Sequence, residues 1–115
     1  MAELGHGEEL DAQRRRAAKN QSLFREVNER IEDLATSTFT TFVCECMNDR
    51  CDERVPLTIE KYERVRTQPT WFFVLEGHEV PEVETIVERT DGYLIVQKLG
   101  AGERVAEKLN PRNRH

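Results

Sequence analysis

The sequence predicts an α+β fold, and three features carry that prediction. A stretch from Glu9 to Ala35 lacks proline and glycine and is dominated by Ala, Arg, Glu, Gln, Leu and Lys, all good helix formers. β-Rich segments follow, the last two flanking Asp91-Gly92. Between them stand Cys44, Cys46 and Cys51, with His78 further along, a donor set that matches the closed four-ligand shell of structural zinc. The chain divides into a disordered N-terminus (1–8), an N-terminal helix (9–36), a zinc-binding α+β domain (37–100) and a C-terminal tail (101–115).

In the helix, Phe24, Val27, Ile31 and Leu34 recur at spacings of three, four and three, which places them on one stripe. The earlier half, Asp11 to Asn20, offers only alanines for burial, so it is expected to project into solvent or onto a partner. The stripe has two readings: packing on the chain's own sheet, or a partner-binding face that could serve self-association.

Phe39 to Cys44 reads as a strand because threonine, phenylalanine and valine suit a half-buried pleat. Met47 to Arg50 is turn-like, with Asn48 and Asp49 able to bond nearby backbone, and returns Cys51 toward Cys46. Arg54 to Leu57 completes a hairpin, and Pro56 restricts it to an edge. Thr58 is a predicted N-cap for a helix from Ile59 to Arg66, closed ahead of Pro69. Trp71 to Leu75 is the most apolar run and reads as a buried strand.

Val83 to Arg89 and Tyr93 to Leu99 then form a hairpin with a type I′ turn at Asp91-Gly92. Counting outward from the turn pairs Arg89 with Leu94 and Val87 with Val96. Val83, Val87, Leu94 and Val96 then share the core face, while Ile86, Tyr93 and Ile95 need a cover. A weak helical patch, Glu103 to Leu109, ends the pattern.

The metal ligands are Cys44, Cys46, Cys51 and His78, and zinc is the expected cofactor. Cys44 and Cys46 leave one face of a strand, Cys51 returns from the turn, and His78 arrives from a distant loop after Gly77. The competing reading makes the cysteines small buried apolar residues. It explains poorly why they stand among Glu45, Asn48, Asp49, Arg50, Asp52 and Glu53.

A full shell leaves no position for water or substrate, so an enzyme is not expected. Glu45 and Glu79 have the chemistry of general acids or bases but read as solvated charges. His78-Glu79 does not continue into a His-Glu-x-x-His helix, and neither a phosphate-binding glycine loop nor a Ser-His-Asp set is evident.

The chain has 115 residues, 34% of them charged, against the roughly 25% of ordinary globular proteins. A core this small benefits from a metal staple, which contributes on the order of 10 kcal/mol to folding. The net charge of −5 disfavours general binding to phosphate backbones. Arg14, Arg15, Arg16 and Lys19 remain a local basic helix for a nucleic-acid-binding alternative, and the thiolates leave a redox switch as another. No apolar stretch approaches the ~20 residues of a membrane span, and an odd cysteine count fits no paired disulfide framework. A cytoplasmic protein is expected.

Phe42-Val43-Cys44-Glu45-Cys46 through Cys51, Leu57-Thr58 with Tyr62-Glu63-Arg64-Val65-Arg66, Gly77-His78-Glu79, and Val87-Glu88-Arg89 before Asp91-Gly92-Tyr93 together resemble a group of small bacterial, mostly actinobacterial, proteins. The resemblance covers about residues 21 to 99. It implies one compact module with a shared Cys-x-Cys-x4-Cys and Gly-His-Glu pattern, and it implies no activity. The function expected from the residues is a zinc-stabilised protein-interaction module acting as a regulator or adaptor.

Overall fold

The computed structural model describes residues 6 to 113 and has the expected α+β architecture. A long helix α1 (His6–Leu34) precedes a hairpin of β1 (Phe39–Val43) and β2 (Arg54–Thr58). Then come α2 (Ile59–Arg66), β3 (Trp71–Val74), β4 (Glu84–Arg89), β5 (Leu94–Lys98), α3 (Ala101–Lys108) and a short 3₁₀ turn, Pro111–Asn113. Helix α1 already includes residues 6 to 8, which the sequence assigns to a disordered segment; residues 1 to 5 lie outside the described part. Thr58 caps α2 as expected, its hydroxyl accepting from the Lys61 amide at 3.1 Å.

Both sheets are antiparallel: β1 pairs with β2, and β5 lies between β3 and β4. Pairing sets Phe72 opposite Val96 and Phe73 opposite Ile95, so the two phenylalanines face opposite sides of the second sheet. Phe73 meets Phe42, Tyr62 and Tyr93 in edge-on contacts at 6.2, 6.0 and 6.3 Å, while Phe42 and Tyr62 stack at 4.3 Å. The hairpin and α2 therefore cover the Tyr93 and Ile95 side. On the other side, the Arg25 guanidinium of α1 lies 4.7 Å from the Phe72 ring centre.

The last hairpin departs from the predicted register. Arg89 opposes Leu94 as counted, but a bulge between Ile86 and Glu88 puts Ile86, not Val87, opposite Val96. The extra residue is Val87, which is exposed, and Ile86 takes the predicted core place beside Val96. Only Gly92 of the turn pair has positive φ, at 95°, whereas a type I′ turn needs it at Asp91 too.

The first half of α1 does not project freely. Ala17 and Ala18 are fully buried, and α3 comes close on the Ala18 side: a Cβ on Gly102 would lie 3.0 Å from the Arg14 carbonyl oxygen and 3.6 Å from the Ala18 Cβ. Small residues on both helices permit this close approach. Residues 101 to 113 are accordingly part of the domain and not a tail. Arg112 in the final turn donates to Glu29, Glu32 and Glu63, fastening the chain end to α1 and α2.

Candidate metal centre

Three pieces of backbone bring four donors together. Beyond β1, the Cys44 amide still bonds the Glu53 carbonyl at 3.0 Å, which continues the hairpin by one step and fixes the first thiol. Asn48 organises the turn: its side-chain oxygen accepts from the Arg50 amide at 3.1 Å and its carbonyl from the Cys51 amide at 3.0 Å. After β3, the His78 amide bonds the Leu75 carbonyl at 2.9 Å across a turn that contains Gly77 with φ 93°.

The ligand atoms of Cys44, Cys46, Cys51 and His78 all lie within 4.8 Å of one another, and the cysteines form no disulfide. The Nδ1 atom of His78 is 3.6 Å from the Cys44 sulfur and 3.7 Å from the Cys51 sulfur. In a tetrahedron with metal–sulfur bonds of about 2.3 Å and metal–nitrogen bonds of about 2.0–2.1 Å, sulfur and nitrogen stand about 3.6 Å apart. The donors therefore fit a metal ion both in type and in spacing. Among the described residues they form a potential metal site.

The thiols interact strongly. The Cys44 thiol donating to Cys46 holds Cys46 down to about 5 and drives Cys44 far above its ordinary value. The Leu75 amide also donates to the Cys44 sulfur at 3.3 Å, a bond that a metal-bound thiolate would accept well. Burial pushes the Cys51 thiol up, and Cys51 is the most exposed of the three.

Glu45, between two ligands, is not a solvated charge. It is fully buried, because alternation along the extended segment that continues β1 turns Cys44 and Cys46 to the metal side and Glu45 to the opposite one. Its carboxylate accepts from Arg66 at 2.5 Å, from Asn28 at 2.8 Å and from the Phe73 amide at 3.3 Å. Burial pushes this carboxyl up, and the charge of Arg66 with the Asn28 bond pulls it back.

The Glu45 carbonyl takes the Gln21 amide at 2.8 Å, which connects to a second buried group. There Lys98 donates to the Gln21 side-chain oxygen and, at 3.0 Å, to Glu84. Sequence reasoning missed this network. A carboxylate in a two-residue alternation between cysteines was the available signal, since both neighbours must face one way. Glu79, by contrast, accepts from the exposed Gly77 amide at 2.8 Å beside the histidine.

The partner stripe predicted on α1 is split. Phe24 and Ile31 are half-buried, while Val27 is 46% and Leu34 80% exposed, joined by Leu23 at 61%. An open groove of about 710 Å³ runs beside them, lined by Val27, Ile31, Leu34 and Pro111 with Glu26 and Asp33. Of the basic residues, Arg15, Arg16 and Lys19 are exposed. Arg14 instead donates to the Glu82 carbonyl at 2.9 Å and packs against Gly100. No helix among the described residues is long and apolar enough to cross a membrane. No protein-family model matches the chain, and no curated protein or solved structure matches it.

Proposed function

We propose that this chain is a non-enzymatic, zinc-stabilised protein-interaction module that works as a regulator or adaptor, with the second half of α1 as its docking face. Cys44, Cys46, Cys51 and His78 would hold the zinc. When bound, the ion supplies a cross-link between the first hairpin and the loop after β3. Four protein donors complete its shell, which favours a structural over a catalytic role.

The observation that carries the reading is the outward face of α1. Leu23, Val27 and Leu34 point to solvent on a helix whose inward face is filled mainly by polar side chains and alanines. An aliphatic stripe left outside while polar groups are taken in is a costly arrangement unless something covers it. Crosslinking of the zinc-loaded protein should give a defined product that Val27→Asp and Leu34→Asp abolish without changing the circular dichroism. Equal products from both forms, or none from either, would reject the docking face. Elemental analysis should find one zinc per chain, lost in Cys46→Ser.

A nucleic-acid role has less support, since Arg14 is engaged on Glu82 and the net charge is −5. Binding to DNA and RNA over a salt series decides it, with no affinity at low salt as the rejecting result. A redox role draws support from the partial exposure of Cys51, and zinc retained under peroxide would remove it.

A further inference from the structure

We infer that the occupant of the outward face of α1 is a second copy of this chain, with the two α1 helices lying antiparallel. This rests on the docking reading above and specifies its partner. The face has a seam. Leu23 and Val27 are four residues apart, Arg30 follows at three and Leu34 at four, which is the alternating spacing of a helix pair. All of these positions are exposed. Between Arg16 and Leu34 the face extends about 27 Å.

Such a stretch is short for two free peptides. Here, however, α1 is already folded by its contacts with α3 and the sheets, so pairing does not have to pay for helix nucleation.

Charge selects the orientation. The exposed face is basic toward its start, with Arg16 and Lys19, and acidic toward its end, with Glu26 and Asp33 on either side of Arg30. A parallel pair would set Arg16 against Arg16 and Arg30 against Arg30 within the seam, and like charges there are unfavourable. Turning one helix around places Leu23 against Val27 of the second copy, twice by symmetry. Leu34 then meets Arg16, whose aliphatic stem can cover it while its guanidinium reaches water. On the flank, Lys19 meets Asp33 of the second copy, again twice. Glu26 meets its own copy at the dyad, a like-charge contact that Arg30, one turn along the same helix, offsets.

The test uses the full-length, zinc-loaded protein in sedimentation and light scattering over about a hundredfold range of concentration, where a pair formed by mass action shows itself. The expected result is a mass rising from one chain to two. Lys19→Glu alone and Asp33→Lys alone should each weaken association about tenfold, since two flanking pairs become repulsive. The double exchange Lys19→Glu with Asp33→Lys should return it to within about twofold of the original. Glu26→Gln should tighten it. Circular dichroism and melting of each variant monitor folding.

A dimer indifferent to the single charge reversals, or one the double exchange fails to restore, overturns the antiparallel register. A monomer at every concentration overturns self-pairing. If Val27→Asp still removes a crosslink to another protein in that case, the docking reading survives; if no crosslink exists, both fall.

Discussion

The two faces of α1 reverse the usual division between inside and outside. Inward stand Gln21, Ser22, Arg25 and Asn28, all buried, with Ala17 and Ala18; outward stand Leu23, Val27 and Leu34. The inward side chains bond largely to backbone that no sheet or helix satisfies. Arg25 donates to the carbonyls of Pro69, at 2.7 Å, and Ala106, at 2.8 Å. Asn28 makes a reciprocal pair with Val43, donating to its carbonyl at 2.9 Å and accepting from its amide at 2.8 Å. Gln21 takes the Glu45 carbonyl. Buried backbone groups must find partners, and α1 supplies them where the two sheets and α3 meet. Its inner face fastens by directed hydrogen bonds, and its outer face offers aliphatic area flanked by charge.

The sharpest way to break this contrast is to remove the metal. If a cation occupies the Cys44, Cys46, Cys51 and His78 site, its removal frees the loop beyond β1 from His78 and loosens Glu45 between Asn28 and Arg66. Chelation should cost on the order of 10 kcal/mol, enough to unfold the domain, as read by far-ultraviolet circular dichroism and hydrogen exchange. An apo protein with native protection on α1 would show that the polar face stands alone.

Glu45→Ala should come next, at about 3–5 kcal/mol in urea unfolding, because it leaves the buried Arg66 guanidinium without its carboxylate. Crowding the closest helix contact tests the packing instead. Gly102→Val should lose about 1–3 kcal/mol through collision with the Arg14 carbonyl and Ala18.

A smaller effect follows from the Arg112 cluster. Glu63 is held down to about 2, mainly by its bond to Arg112, so its contribution is present above the usual carboxylate range and fades as pH falls toward that value. Glu32 is pushed up to about 8, first by burial and then by Glu63, so its contribution is complete below the usual range and is lost as pH rises through about 8. The melting temperature should therefore decline as pH rises from the usual carboxylate range toward about 8 and level off above it, and Glu32→Gln should flatten that limb. At the small end, Leu34→Asn should change stability by no more than about 0.5 kcal/mol while weakening any association through the outer face.

Part of this was legible in the amino acids. The α+β class, the helix Ile59–Arg66 and the company of Cys44, Cys46, Cys51 and His78 follow from propensity, capping and donor chemistry. The orientation of α1 does not. A rule that sends apolar stripes inward assigns Val27 and Leu34 to contacts and passes over Arg25 and Asn28, whose value lies in distant carbonyls that no local pattern reveals. Alanines offer little area to bury, yet both Ala17 and Ala18 are inside, and the smallness of Ala18 is what admits Gly102 of α3. The bulge at Val87 shifts one residue in a strand that otherwise counts correctly, and periodicity has no means of announcing it.

Where those inward bonds lead along the chain has a bearing on synthesis. Gln21 waits for Lys98, Arg25 for Ala106 and Glu29 for Arg112, separations of 77, 81 and 83 residues. As the polypeptide leaves the ribosome, Asn28 and Gln21 can meet Val43 and Glu45 after only 15 and 24 residues, whereas the bonds to Lys98, Ala106 and Arg112 must wait for those later segments. The thiol loop and its histidine are only 27 to 34 residues apart and can close around an ion much sooner. The order of assembly should thus run from the first hairpin and its histidine to the contacts of α1 with β5, α3 and Arg112, which are the last to form.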